Sequence, residues 1–156
     1  MRRLSVLILL LMVLPATPAP GCFGPKLHVG VGPGIGATAL AEIAMLYVKE
    51  KTGVESLRVD LAGQGGAALA GEKVDLAVAR DGLPATAVLL DLPGLAGLAA
   101  GPRPRRDIQF TTVVPALEKL AGLLRPADLR EVLAAVAAGR PAAAAARDLL
   151  QSRRWI

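Results

Sequence analysis

The chain is predicted to fold as an α/β protein, a single three-layer αβα lobe built on a small, mostly parallel sheet. Three observations predict it. Between Leu27 and Arg80, apolar strand-like runs alternate with helix-like runs, as in LHVGVG, ESLRVDL and VDLAVAR. Gly-rich turns stand where each strand should give way to a helix, at Gly30 to Gly36 and at Gly63 to Gly66. Between those turns the apolar residues change from a period of two to a period near 3.6.

Length and composition bound the rest. With 156 residues there is room for one domain of ordinary size. The chain is 53% apolar but only 3% aromatic, so its core must be made of Ala, Leu and Val. Such a core offers few platforms for stacking bases or enclosing a cation. The formal charge is +5, and +3 without Arg2 and Arg3, which is too weak and scattered to indicate nucleic-acid binding.

Residues 1–21 read as an export signal, with Arg2 and Arg3 as a positive start, an apolar run from Leu4 to Leu14, and a small-residue region from Pro15 to Gly21. The apolar run is about half the roughly 20 residues that a spanning helix needs. Cys22, the one cysteine, follows at once, so an internal disulfide is impossible. Ala19-Pro20-Gly21-Cys22 resembles a bacterial lipoprotein box, with Gly21 in the small-residue slot. The resemblance implies lipidation of Cys22, residues 22–26 as a tether, and a domain over residues 27–156 held at a membrane surface of the cell envelope. Ordinary secretion is the alternative.

The first strand, Leu27 to Val31, runs into Gly32-Pro33-Gly34-Ile35-Gly36. Gly32, Gly34 and Ala37 satisfy the spacing of a dinucleotide fingerprint, with Asp60 as ribose acceptor, but Gly and Ala abound here and an exported protein meets little NAD. A plain tight turn is the bland reading. A third is a turn whose backbone donors, at Gly34, Gly36 and Thr38, face a carboxylate or phosphate. In the next helix Leu40, Ile43, Ala44, Tyr47 and Val48 share one face, and Lys49, Lys51 and Gly53 mark its end. Tyr47 is expected in the core.

A second strand spans Leu57 to Leu61, followed by Gly63-Gln64-Gly65-Gly66, where Gln64 either meets a polar solute or caps the loop. A third, buried strand spans Val74 to Ala79, interrupted by Asp75. Arg80 at its carboxyl end is a candidate for an anionic group, or half of a surface pair with Asp81. Beyond it, Ala85 to Leu90 reads as a short helix and Arg103 to Arg106 as a basic turn. Leu129, Val132, Leu133 and Val136 stripe a helix from Pro126 to Ala138, and Leu149 and Leu150 serve a last one from Pro141 to Ile156. Arg153 and Arg154 are expected to be solvated, or to meet headgroups if Cys22 carries a lipid.

The order of strand, Gly turn, helix ending in KTG, strand, Gly-rich turn and GEKVDLAVA resembles the first lobe of an extracytoplasmic substrate-binding protein of an ABC transporter. The run from Thr111 to Ile156 is similar to the closing segment of the glycine betaine/choline class, which implies a returning strand over Thr111 to Pro115 ahead of the last helices. The resemblance implies a small-molecule solute, a transporter permease as partner, and no cofactor. Two departures stand out. Only residues 82–107 occupy the place of a second lobe, too few for a domain. The aromatic residues Phe23, Tyr47, Phe110 and Trp155 lie outside the Gly-rich loops, so a quaternary-ammonium box is not carried over.

Enzymatic chemistry has little support: there is no nucleophile beside a base, no paired carboxylates, and no P-loop lysine between Gly32 and Thr38. His28 has no ligand at metal spacing, so a structural role is expected and no metal site. The expected function is binding of a small polar or anionic solute over Gly34, Gly36, Thr38, Gln64, Gly65, Gly66 and Arg80, with a homo-oligomeric partner as one way to close the site. The alternative is a degenerate lobe kept as an envelope scaffold.

Overall fold

A computed structural model describes residues 24–156. The expected signal, Cys22 and Phe23 lie outside the described residues. Strand β1 (Leu27–Val31), helix α1 (Ile35–Thr52), β2 (Ser56–Asp60), α2 (Gly65–Ala70) and β3 (Leu76–Ala79) follow in the expected βαβαβ order. The chain then adds β4 (Val88–Leu92), β5 (Ala96–Ala100), a single turn α3 (Arg103–Arg106), and helices α4 (Val113–Leu123), α5 (Pro126–Ala137) and α6 (Ala142–Ser152). The strands form one sheet in the order β2-β1-β3-β5-β4. β1 pairs in parallel with β2 and β3, whereas β5 is antiparallel to both β3 and β4, so β5 alone runs against the other strands.

The α/β reading therefore holds, with two unequal outer layers. Leu27, Val29 and Val31 alternate inward under α1, whose Leu40, Ile43, Ala44, Tyr47 and Val48 are all buried. Helices α4, α5 and α6 pack around α1 and complete this core. Among the described residues the opposite face carries one helix, α2, over Ala68, Leu69, Val74, Ala77 and Ala99, with Leu83 and Ala87 packed beside them. Gly30 on that face has no room for a side chain, since a Cβ would lie 2.5 Å from Leu61 Cδ1. Helix α1 ends at Gly53, whose left-handed φ of 73° lets its N–H reach Lys49 O at 2.9 Å.

Two elements differ from expectation, and one strand between them was not anticipated. Ala85 to Leu90 is a short 3-10 turn (Ala85–Ala87) opening into β4. The Ala-rich stretch after it is a buried strand, β5, reached through Leu92-Pro93-Gly94-Leu95; Gly94 has φ 72° and Leu95 N–H donates to Leu92 O, a type II turn with Pro and Gly in their usual places. Residues 82–107 thus extend the sheet of the same lobe. Thr111 to Pro115 is the entry to α4, not a strand. Pro115 lies in the first turn, where its missing N–H costs nothing, and Val113, Leu117 and Leu120 bury one helical face.

Candidate functional site

The alternation of strand and helix puts the turns after β1 and β3 at one end of the sheet. There a recess of about 290 Å³ is lined by Pro33, Gly34, Ile35, Gly36, Ala37, Arg80, Gly94, Leu95 and Leu133. Gly34 precedes α1 with φ 105°, a conformation that suits glycine, and no side chain caps the helix. The first intrahelical bond runs from Thr38 N–H to Gly34 O at 3.1 Å, so the N–H groups of Ile35, Gly36 and Ala37 precede the helical ladder. No acidic residue occupies the first turn, leaving the positive end of the helix dipole unopposed.

Arg80 is exposed at the end of β3 and forms no ion pair or side-chain hydrogen bond with the described residues, Asp81 included. Its neighbours in the recess are backbone and apolar side chains. A guanidinium and a helix N-terminus beside one cavity form a place for a small anion.

The other expected residues divide into separate places. Gln64 lines a depression of about 260 Å³ with Asp60, Leu61 and Lys73. Thr38 Oγ1 accepts from Arg58 at 3.5 Å, and Arg58 also pairs with Asp60 at 2.8 Å and approaches Glu42 at 3.8 Å. Asp60 is thus held by an arginine and lines the Gln64 depression, away from the recess beside Gly34. Gly65 is buried under Leu83, and Gly66 lies where a Cβ would be 2.7 Å from Gly82 O. Gly36 has a similar constraint, with 2.8 Å from a Cβ to Leu95 O. These glycines allow backbone segments to approach closely. Gly34, Gly36 and Arg80 are brought together, and Gln64, Thr38, Gly65 and Gly66 are not.

Sequence reasoning did not find Gly94, Leu95 and Leu133, which close the recess. The Pro93-Gly94 pair was the available signal for the turn. Nor did it find the arrangement at the opposite end of the sheet. Asp75, only 2% exposed, accepts from His28 N–H at 2.7 Å and from Arg103 Nη1 at 3.1 and 3.2 Å, with His28 Nδ1 at 3.9 Å. A charge inside an apolar strand must find such partners, and that was the signal. Arg153 is exposed, as expected, and is also paired with Asp128 at 2.9 Å and Glu131 at 3.1 Å, which the sequence did not indicate.

Among the described residues no cluster of three or more His, Cys, Asp or Glu could hold a metal ion, and no helix is long and apolar enough to cross a membrane. Comparison of the chain with protein-family models, curated proteins and solved structures finds no match.

Proposed function

We propose that the protein is an extracytoplasmic solute-binding lobe, associated with ABC-type transport, that takes a small anion in the recess between the start of α1 and Arg80 without chemical change. The single observation that carries this reading is an uncapped helix N-terminus and an unpaired arginine on the walls of one cavity. Size narrows the solute. At about 290 Å³ the recess stands at the lower end of the roughly 300–1,000 Å³ usual for drug-sized ligands, which favours a small solute, and its walls favour an anion such as sulfate, phosphate or a carboxylate.

A second reading, a lobe kept as an envelope scaffold, draws support from the packing roles of Gly36, Gly65 and Gly66 and from the separation of Gln64 from the recess. Titration calorimetry with phosphate, sulfate and acetate separates the two. The binding reading expects weak, salt-sensitive uptake of one anion that Arg80→Ala removes and Gln64→Ala leaves in place. Heat signals absent at millimolar anion, or unchanged by Arg80→Ala, favour the scaffold.

A further inference from the structure

The sheet ends in two strands of unlike build. At one end β4 pairs with β5 through a register that shifts between Val88 and Leu90, is followed at once by Pro93, and lies against α4. Irregularity and cover of this kind blunt an edge. At the other end β2 pairs with β1 in unbroken parallel register, from Leu27 with Ser56 to Val31 with Asp60, and has no proline. Leu27 N–H donates to Glu55 O and Leu61 N–H to Val31 O, so the odd-numbered residues from Glu55 to Leu61 turn their backbone groups toward β1. Ser56, Arg58 and Asp60 turn theirs outward, where no strand of the described residues meets them.

The side chains of β2 alternate between two kinds of surface. Arg58 and Asp60 lie on the α1 side, where Arg58 pairs with Asp60 at 2.8 Å and reaches Glu42 and Thr38 of α1. Leu57, Val59 and Leu61 lie on the α2 side. Val59 and Leu61 pack against the small core there, but Leu57 is 47% exposed, one of three large apolar side chains so placed among the described residues. A regular edge with free backbone groups and an uncovered leucine is a template for a further strand.

We infer that two copies of the chain join through β2, antiparallel across a two-fold axis at Val59, to make one continuous sheet. The strand's own residues select both partner and register. With Val59 on the axis, Arg58 stands opposite the partner's Asp60 and Asp60 opposite the partner's Arg58, so opposite charges meet twice on the α1 side. On the α2 side Leu57 meets the partner's Leu61 and is covered. Centring the pair on Arg58 sets arginine against arginine, and centring it on Asp60 sets aspartate against aspartate, each of which is unfavourable. A two-fold contact must be complementary to itself, and opposite charges two positions apart on an edge strand meet that condition. The antiparallel join turns the two recesses to opposite ends of the shared sheet. This partner therefore does not close the recess, unlike the homo-oligomer raised by the sequence, and the pairing holds with or without a solute.

The test is disulfide trapping in the full chain, with Cys22→Ser so that each introduced cysteine is the sole thiol. Val59→Cys puts two thiols at the axis with Cβ atoms about 5 Å apart, close to what a disulfide spans, and should give a covalent dimer under mild oxidation at micromolar chain. Leu57→Cys alone should not, because its two copies lie about 14 Å apart, whereas a mixture of Leu57→Cys with Leu61→Cys should. Adding Arg58→Asp or Asp60→Arg to Val59→Cys sets like charges opposite and should cut the trapped dimer about fivefold. Mixing those two variants restores opposite pairs and should recover the yield as heterodimer, a result that damage to the fold does not produce. Circular dichroism melts establish that each variant is folded. Without any substitution, amide exchange at Arg58 and Asp60 should slow as the chain is concentrated. Failure of Val59→Cys to trap beyond Leu57→Cys, better trapping through Arg58→Cys, or no recovery on mixing overturns the inference. Slow exchange at every dilution overturns it in favour of another segment of the same chain lying on the edge.

Discussion

The two ends of the sheet are built on opposite terms. At the amino ends of the strands, a buried carboxylate ties three segments together: Asp75 accepts from His28 N–H of β1 and from Arg103 of α3, and its own carbonyl accepts from Gly101 N–H. At the carboxyl ends, α1 begins without a side-chain cap and Arg80 lacks a partner among the described residues. Donors are satisfied where the fold is held and left unmet where a solute can reach them. Such a division lets the recess keep a free cation while cohesion is supplied elsewhere.

Substitutions at the two ends should separate stability from binding. The largest expected effect is at Asp75. Asp75→Ala strands His28 N–H and half-buried Arg103, and should lower unfolding free energy by about 3 kcal/mol in urea titration, with Asp75→Asn recovering part of the loss. Anion affinity per folded molecule should not change. Gly36→Ala comes next and links the two terms, because its Cβ would press on the Leu95 carbonyl at 2.8 Å. A loss of about 2 kcal/mol is expected, together with weaker anion uptake as the β4–β5 turn is displaced. Uptake surviving that change would move the site away from the start of α1. Arg80→Ala should be the converse of Asp75→Ala: stability within about 0.5 kcal/mol of wild type, and affinity down roughly tenfold to a hundredfold.

The same contrast explains what could be read in advance. The βαβαβ half was legible because α1 repeats its apolar residues with the helical period and the turns carry glycines where strands end. The second half was harder. β5 is Ala-Gly-Leu-Ala-Ala, central and buried on both faces, so it lacks alternation and offers none of the β-branched or aromatic residues that mark a strand. At α4 the resemblance implied a strand ending at Val113-Val114-Pro115, while Leu117 and Leu120 decided for a helix. For the site, residue chemistry pointed to Arg80 and the α1 turn. Which loops meet in space was not local information. Gly94 and Leu95 reach the recess only because β4 and β5 join the sheet as a hairpin, and Gln64 falls outside it because α2 lies on the other face.

Tyr47 tests how far the division holds, since it belongs to the stable part of the molecule yet carries a group left unsatisfied. It lies in the second half of α1, fully buried, and its hydroxyl has no hydrogen-bond partner among the described residues. Burial pushes its pKa above the ordinary value of 10.0, because the phenolate would be costlier in the core than the phenol. Folding therefore favours the protonated form. Below pH 10 that preference is intact; as pH rises past 10 the unfolded chain loses this proton first, and stability falls with it. Tyr47→Phe removes a buried unsatisfied hydroxyl and should be neutral or stabilising by up to about 1 kcal/mol at pH 7. Its stability should also decline less than that of wild type between pH 10 and pH 11, measured by urea unfolding. A clear loss at pH 7 would mean that the hydroxyl has a partner, and that this end of the molecule is satisfied throughout.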